Sequence, residues 1–164
     1  VPGRMECVGS MDGATVFVDY AHTPDALQNV CRSLRGLDPR RLITVFGCGG
    51  DRDREKRPLM GAVASRHSDY CVVTSDNPRS EDPERIIGHI EEGMSGAIYE
   101  RIVDRGEAIR AAIQEARGGD IVLIAGKGHE DYQEFDGSRV LFDDRKEART
   151  AMDARRKARG EDRV

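Results

Sequence analysis

Asp76-Asn77-Pro78-Arg79 puts an acid, an amide and a guanidinium within four consecutive positions. Arg79 offers a planar fork of donors suited to a carboxylate or phosphate, and Asp76 supplies a counter-charge for a cation. Together they can hold the two poles of an amino acid. By itself the tetrapeptide is equally a capped surface turn, because Asp and Asn bond nearby backbone and Pro cannot continue a central strand. Other segments supply partners: Arg52 in the run from Gly47 to Arg54, and Glu130 after Gly126-Lys127-Gly128-His129. Two arginines (Arg52, Arg79), two acids (Asp76, Glu130) and an amide (Asn77) suit a zwitterion, each charge-assisted hydrogen bond contributing about 1.5–3 kcal/mol. Arg54 is expected to pair with Asp51 or Asp53 on a solvated loop. His22 and His129 are most simply bonded loop histidines.

Nucleotide-cradling motifs fail. A phosphate loop requires G-x-x-x-x-G-K-[S/T], but the early glycine position before Lys127 is Ile121 and the residue after the lysine is Gly128. The dinucleotide fingerprint fits Gly47 and Gly49 but meets Arg52 where its third glycine belongs.

The elements that must position these residues alternate. Strands are expected near residues 5–8, 15–18, 42–46, 70–74, 99–103 and 121–125, with a hairpin of 132–135 and 139–142. Helices are expected after Thr23-Pro24, from Pro58 to His67, after Asp82-Pro83, from Glu107, and after Asp143, with Thr23, Asp82 and Asp143 as caps. Leu27, Val30, Cys31 and Leu34 recur at one helical face. This order predicts an α/β fold: a mainly parallel, Rossmann-like sheet with helices on both faces and a C-terminal hairpin. The strand runs are continuously apolar, as covered strands require. In such a sheet the carboxyl ends share one edge, where ligands bind. The segments Asp19–His22, Gly47–Arg54, Ser75–Arg79 and Gly126–Asp131 would all gather there.

The 164 residues make one domain, with residues 1–153 the folded unit and 154–164 a charged tail that frays from Arg155 onward. Val1-Pro2-Gly3-Arg4 reads as a linker from a longer chain. The net charge of −4 argues against a nucleic-acid partner. No apolar run approaches the roughly 20 residues that span a bilayer, which argues against a membrane role. Cys7, Cys31, Cys48 and Cys71 form no C-x-x-C pair and fit reduced thiols in a cytoplasm, with Cys48 exposed in its glycine loop.

Six segments together resemble the C-terminal domain of the Mur ligases, most closely the UDP-N-acetylmuramoyl-tripeptide synthetase (MurE) branch. They are Val1 to Glu6, Val18 to Pro24, Phe46 to Asp53, Lys56 to Pro58, Asp76 to Arg79 and Ala125 to Gln133. The resemblance implies an ATP-dependent ligase of peptidoglycan synthesis that joins meso-diaminopimelate to UDP-MurNAc-L-Ala-D-Glu. The D-glutamate carboxylate is phosphorylated by ATP and then attacked by the incoming amine. It implies that Arg52, Asp76, Asn77, Pro78, Arg79, Gly126 and Glu130 bind diaminopimelate. Arg4 and Asp19, with His22 beside them, match positions that reach the nucleotide. The UDP-binding and central ATPase domains have no counterpart in these residues. No catalytic residue or metal ligand is therefore assigned to this chain, Mg2+ being held elsewhere in the full-length enzyme, and the chain alone is expected to be inert. Rival readings are a lysine-adding or folylpolyglutamate-type ligase, against which Arg79 argues, a two-metal phosphoesterase using Asp19, His22, Asp76 and His129, and a stand-alone amino-acid sensor.

Overall fold

In the computed structural model, which describes residues 3–160, strands and helices follow one another in the expected order. They are β1 (Glu6–Met11), β2 (Ala14–Asp19), α1 (Pro24–Arg35), β3 (Leu42–Phe46), α2 (Lys56–His67), β4 (Tyr70–Val73), α3 (Pro83–Glu91), β5 (Tyr99–Arg101), α4 (Arg105–Glu115), β6 (Ile121–Ala125), β7 (Tyr132–Phe135), β8 (Ser138–Leu141) and α5 (Asp144–Ala158). Val1 and Pro2 of the linker reading, and residues 161–164 of the tail, lie outside the described residues.

Six strands form one sheet in the order β1-β2-β6-β3-β4-β5, and β7 and β8 form a separate hairpin. β2, β6, β3, β4 and β5 are mutually parallel, and only β1 runs antiparallel, against β2. Every residue of β3 and β6 is buried, which is why their sequences lack polar alternation. Alternate side chains instead divide between two cores. Leu42 and Phe46 pack with Leu27, Met60 and Ile87 on the α1–α2–α3 face. Ile43 and Val45 pack with Ile109, Ile113 and Met152 on the α4–α5 face.

The expected caps form: Thr23 accepts from the Ala26 amide at 3.2 Å, Asp82 from Glu84 at 3.0 Å, and Asp143 from Arg145 at 2.9 Å. Among the strands β1 runs on to Met11 and β5 stops at Arg101, and three helix boundaries also differ from expectation. α2 starts at Lys56, so Pro58 lies inside the first turn, where its missing N–H costs nothing. α4 starts at Arg105 because Asp104 caps it through the Gly106 amide. α5 continues to Ala158 instead of fraying from Arg155. The Arg155 guanidinium is buried, donating to the carbonyls of Ile113 and Ala116 and to Asp12.

Arg105 and Asp144 fasten the floor of the sheet edge. Both are fully buried, and Arg105 donates Nε and Nη2 to the two Asp144 oxygens at 2.8 Å each. Its other donors reach the carbonyls of Ser75 at 3.1 Å and Ala125 at 3.0 Å. One guanidinium thus ties the ends of β4 and β6 to α4 and α5.

Candidate functional site

The carboxyl ends of β2, β3, β4 and β6 open onto a cavity of about 280 Å³. Arg52, Asp76, Asn77, Arg79, Gly126 and Glu130 all line it. Pro78 does not: its carbonyl packs on Gly50, where a Cβ would fall 1.8 Å from the carbonyl oxygen. Only glycine lets the two loops lie this close, and the Gly50 amide bonds the Asn77 carbonyl at 2.7 Å. Arg4, Asp19 and His22 line an adjoining cavity of about 180 Å³. Tyr20 and His22 belong to both walls.

Arg79 is held in an uncommon left-handed conformation, with φ at 54°. The hairpin imposes it: the Arg79 amide donates to the Glu134 carbonyl at 2.9 Å, and the Asp136 amide donates to the Arg79 carbonyl at 2.7 Å. The guanidinium is aimed by the Gly50 carbonyl, 2.9 Å from Nη1, and by Glu134, 3.3 Å from Nε. Arg52 is exposed, and its Nη1 donates to the Asp51 carbonyl at 3.0 Å. Arg54 pairs with Glu81 at 3.5 Å rather than with Asp51 or Asp53. Asp51 instead accepts from the Ser80 hydroxyl at 2.6 Å, and Asp53 from the Glu55 amide at 2.9 Å. Local acids are already spent on the loop's own backbone and hydroxyls.

Asp76 and Asn77 are buried and face inward more than their types foretold. Lys127, fully buried, donates to Asn77 Oδ1 at 2.7 Å and to the Tyr132 carbonyl at 2.9 Å, and pairs with Asp76 at 3.2 Å. Burial lowers the pKa of Lys127 below its ordinary value, against the pull of Asp76. Burial likewise raises that of Glu130, against the pull of Lys127. Cys48 is buried, not exposed as its glycine neighbours implied, and burial pushes its thiol up to about 12. It is a small apolar wall residue, not a nucleophile.

Sequence reasoning missed Arg57, Lys127, Tyr20 and Tyr132. Arg57 is fully buried and donates to Glu81 at 2.7 Å, to the Gly49 carbonyl at 2.9 Å and toward His89 Nδ1 at 3.0 Å. Its signal was present: Arg57 precedes the buried Met60, Gly61 and Ala64 at helical spacing. Tyr20 carries the aromatic wall, with the His22 ring edge-on at 4.6 Å and the His129 ring at 5.8 Å.

The two-metal reading requires Asp19, His22, Asp76 and His129 to converge. Asp19 gives one oxygen to the Met5 amide and the other to the Ala21 amide, each at 2.7 Å, and Asp76 is on Lys127. Among the described residues no group of three or more His, Cys, Asp or Glu side chains is placed to hold a metal ion.

Residues 3–128 match the family model of the Mur ligase, glutamate ligase domain, and the chain belongs to that family. Within it, the chain is 60% identical over 151 residues to the UDP-N-acetylmuramoyl-L-alanyl-D-glutamate–2,6-diaminopimelate ligase of Syntrophomonas wolfei, covering 90% of this chain and 31% of the relative. It is 56% identical over 155 residues to the ligase of the same name from Synechocystis, covering 93% and 31%. A solved structure of a 2,6-diaminopimelate ligase of this name superimposes with a TM-score of 0.89 at 50% identity, over 94% of this chain and 32% of that one. The chain thus spans about a third of the length of the curated relatives it matches.

Proposed function

We propose that this chain is the amino-acid-binding C-terminal domain of the ATP-dependent ligase that adds meso-diaminopimelate to UDP-MurNAc-L-Ala-D-Glu in peptidoglycan synthesis. The observation that carries the reading is the aimed guanidinium of Arg79 in a cavity that also holds the carboxylate of Glu130 and the open donors of Arg52. Diaminopimelate differs from lysine by a carboxylate at its far end. Arg79 and Arg52 would take that carboxylate, with the backbone at Gly126, and Glu130 would take the neighbouring ammonium. Held by its distal zwitterion, the amino acid presents its other amine outward, toward the activated D-glutamate carboxyl. Orientation of that amine is what this domain contributes to the rate. The adjoining cavity of Arg4, Asp19 and His22, with the Tyr20 ring as its floor, would meet ATP when the domain closes.

ATP supplies the activation of the carboxyl and Mg2+ the charge neutralisation, both in the full-length enzyme. The isolated chain would therefore bind and orient without turning over. Its nucleotide substrates place the enzyme in the cytoplasm. No described helix is long and apolar enough to cross a membrane.

Calorimetric titration of the chain with meso-diaminopimelate and L-lysine, on wild type and Arg79→Ala, tests the reading. Diaminopimelate should bind in preference to lysine. Arg79→Ala should erase the preference at a cost of about 1.5–3 kcal/mol, the range of one charge-assisted contact. Equal or tighter lysine binding by wild type would refute the substrate assignment.

A further inference from the structure

Asp76 opens the motif that first pointed to a ligand, yet its carboxylate is already occupied. Lys127 Nζ lies 3.2 Å from Asp76 Oδ1, and its two hydrogen bonds go to Asn77 Oδ1 and the Tyr132 carbonyl. The ammonium has three protons, and these three oxygens account for them. Glu130 is 3.9 Å from Nζ, beyond hydrogen-bond reach. The other Asp76 oxygen lies over Gly126, which has φ at 119°, and a Cβ there would be 2.9 Å from Oδ2. Asn77 is fixed as tightly, since its Oδ1 also accepts from the Glu134 amide at 3.0 Å. The motif's acid and amide are therefore set from below by one buried cation.

We propose that Lys127 is a positioning residue of this cavity: it neutralises Asp76 and fixes Asn77, leaving Glu130 as the one carboxylate that meets the ligand's ammonium. The proposal rests on the amino-acid-binding reading above. Without Lys127, Asp76 and Glu130 would face one cavity with their ion-pair partner gone, the buried Arg105 being committed to Asp144. Like charges so placed drive one to rotate outward or take up a proton. Removing both charges of a buried pair is tolerated far better than removing one.

The test is a double-mutant cycle of Lys127→Met and Asp76→Asn in the full-length ligase that carries this domain. Lys127→Met should raise KM for diaminopimelate about tenfold or more, the equivalent of one lost charged contact. Its KM for ATP should stay near wild type, and the double variant should recover most of the loss. A lysine with a merely structural role would lower the yield of active enzyme and leave KM unchanged. That result, or a double variant no better than Lys127→Met, overturns the proposal. If Lys127→Met does not fold, the coupling is read against Asp76→Asn: a double variant that folds with a KM for diaminopimelate no higher than that of Asp76→Asn supports the role, and one that also fails to fold or raises KM further overturns it. A wild-type enzyme that ignores diaminopimelate would refute the substrate reading separately. A crystal structure of the Lys127→Met chain then still decides Lys127: an Asp76 carboxylate turned away from Gly126 supports the role, and an unmoved Asp76 and Asn77 overturn it.

Discussion

The two edges of the sheet use the same residue types to opposite ends. At the amino edge, Asp120 is buried at the start of β6 and accepts from Arg40 at 3.0 Å, Arg41 at 3.0 Å and the Arg117 amide at 2.8 Å, all on Oδ2. Those arginines keep 51% and 26% of their side chains exposed. Burial would raise the Asp120 pKa, but the bonds from Arg117, Arg41 and Arg40 hold it below the ordinary carboxylate value. The cluster closes on itself and presents water with the backs of arginines. At the carboxyl edge the cations Arg57, Arg105 and Lys127 are fully buried, and they hold loops rather than one another's partners. The donors left over, on Arg79 and Arg52, face a cavity. A staple leaves no donor over, whereas buried supports beneath exposed donors are what the proposed binding role requires.

That contrast can be broken in order of expected effect. Asp144→Ala should be the most damaging, because it strands fully buried Arg105, at a cost of about 3–5 kcal/mol. Chemical denaturation would register it, and a loss under about 1 kcal/mol would mean that Arg105 finds water or another acceptor. Asp120→Ala should cost less, about 1–2 kcal/mol, because Arg40 and Arg41 can turn into solvent. Its diaminopimelate titration should match wild type, and a weakened titration would show that the two edges are coupled. The remaining effect is read in acid. Hydrogen bonds from Arg57, opposed by burial, hold Glu81 down at about 2 against an ordinary 4.5. A group with a depressed folded pKa contributes stability above its unfolded pKa, and that stability is lost as pH falls through the folded value. Wild type should therefore lose Glu81's contribution between about pH 4.5 and 2, and Glu81→Gln should flatten the stability profile in that window. An unchanged profile would place the acid sensitivity elsewhere.

Much of the frame was legible without coordinates. Apolar runs named β3 and β6 as covered strands, and cap residues named the starts of α1, α3 and α5, because these depend on neighbours a few positions apart. Three buried arginines were equally legible and passed unread. Arg57 leads Met60, Gly61 and Ala64, Arg105 leads Ala108, Ile109 and Ala112, and Arg155 follows Ala148, Ala151 and Met152, each at helical spacing on a buried face. A charge at such a position has to find partners inside.

The sequence by itself determined the alternation of strands and helices, and hence that the polar loops after β2, β3, β4 and β6 share one edge. It also determined, through the chemistry of Asp76 to Arg79, that such an edge could grip a zwitterion. Only the tertiary structure decided which of those charges are free. Asn77 meets Lys127 across 50 positions of chain, and Arg105 meets Asp144 across 39. The hairpin that sets the Arg79 backbone contacts it from more than 50 residues away. A carboxylate's role depends on whether a cation has already reached it, and at such separations the packing of the sheet, not the local chain, brings the cation there.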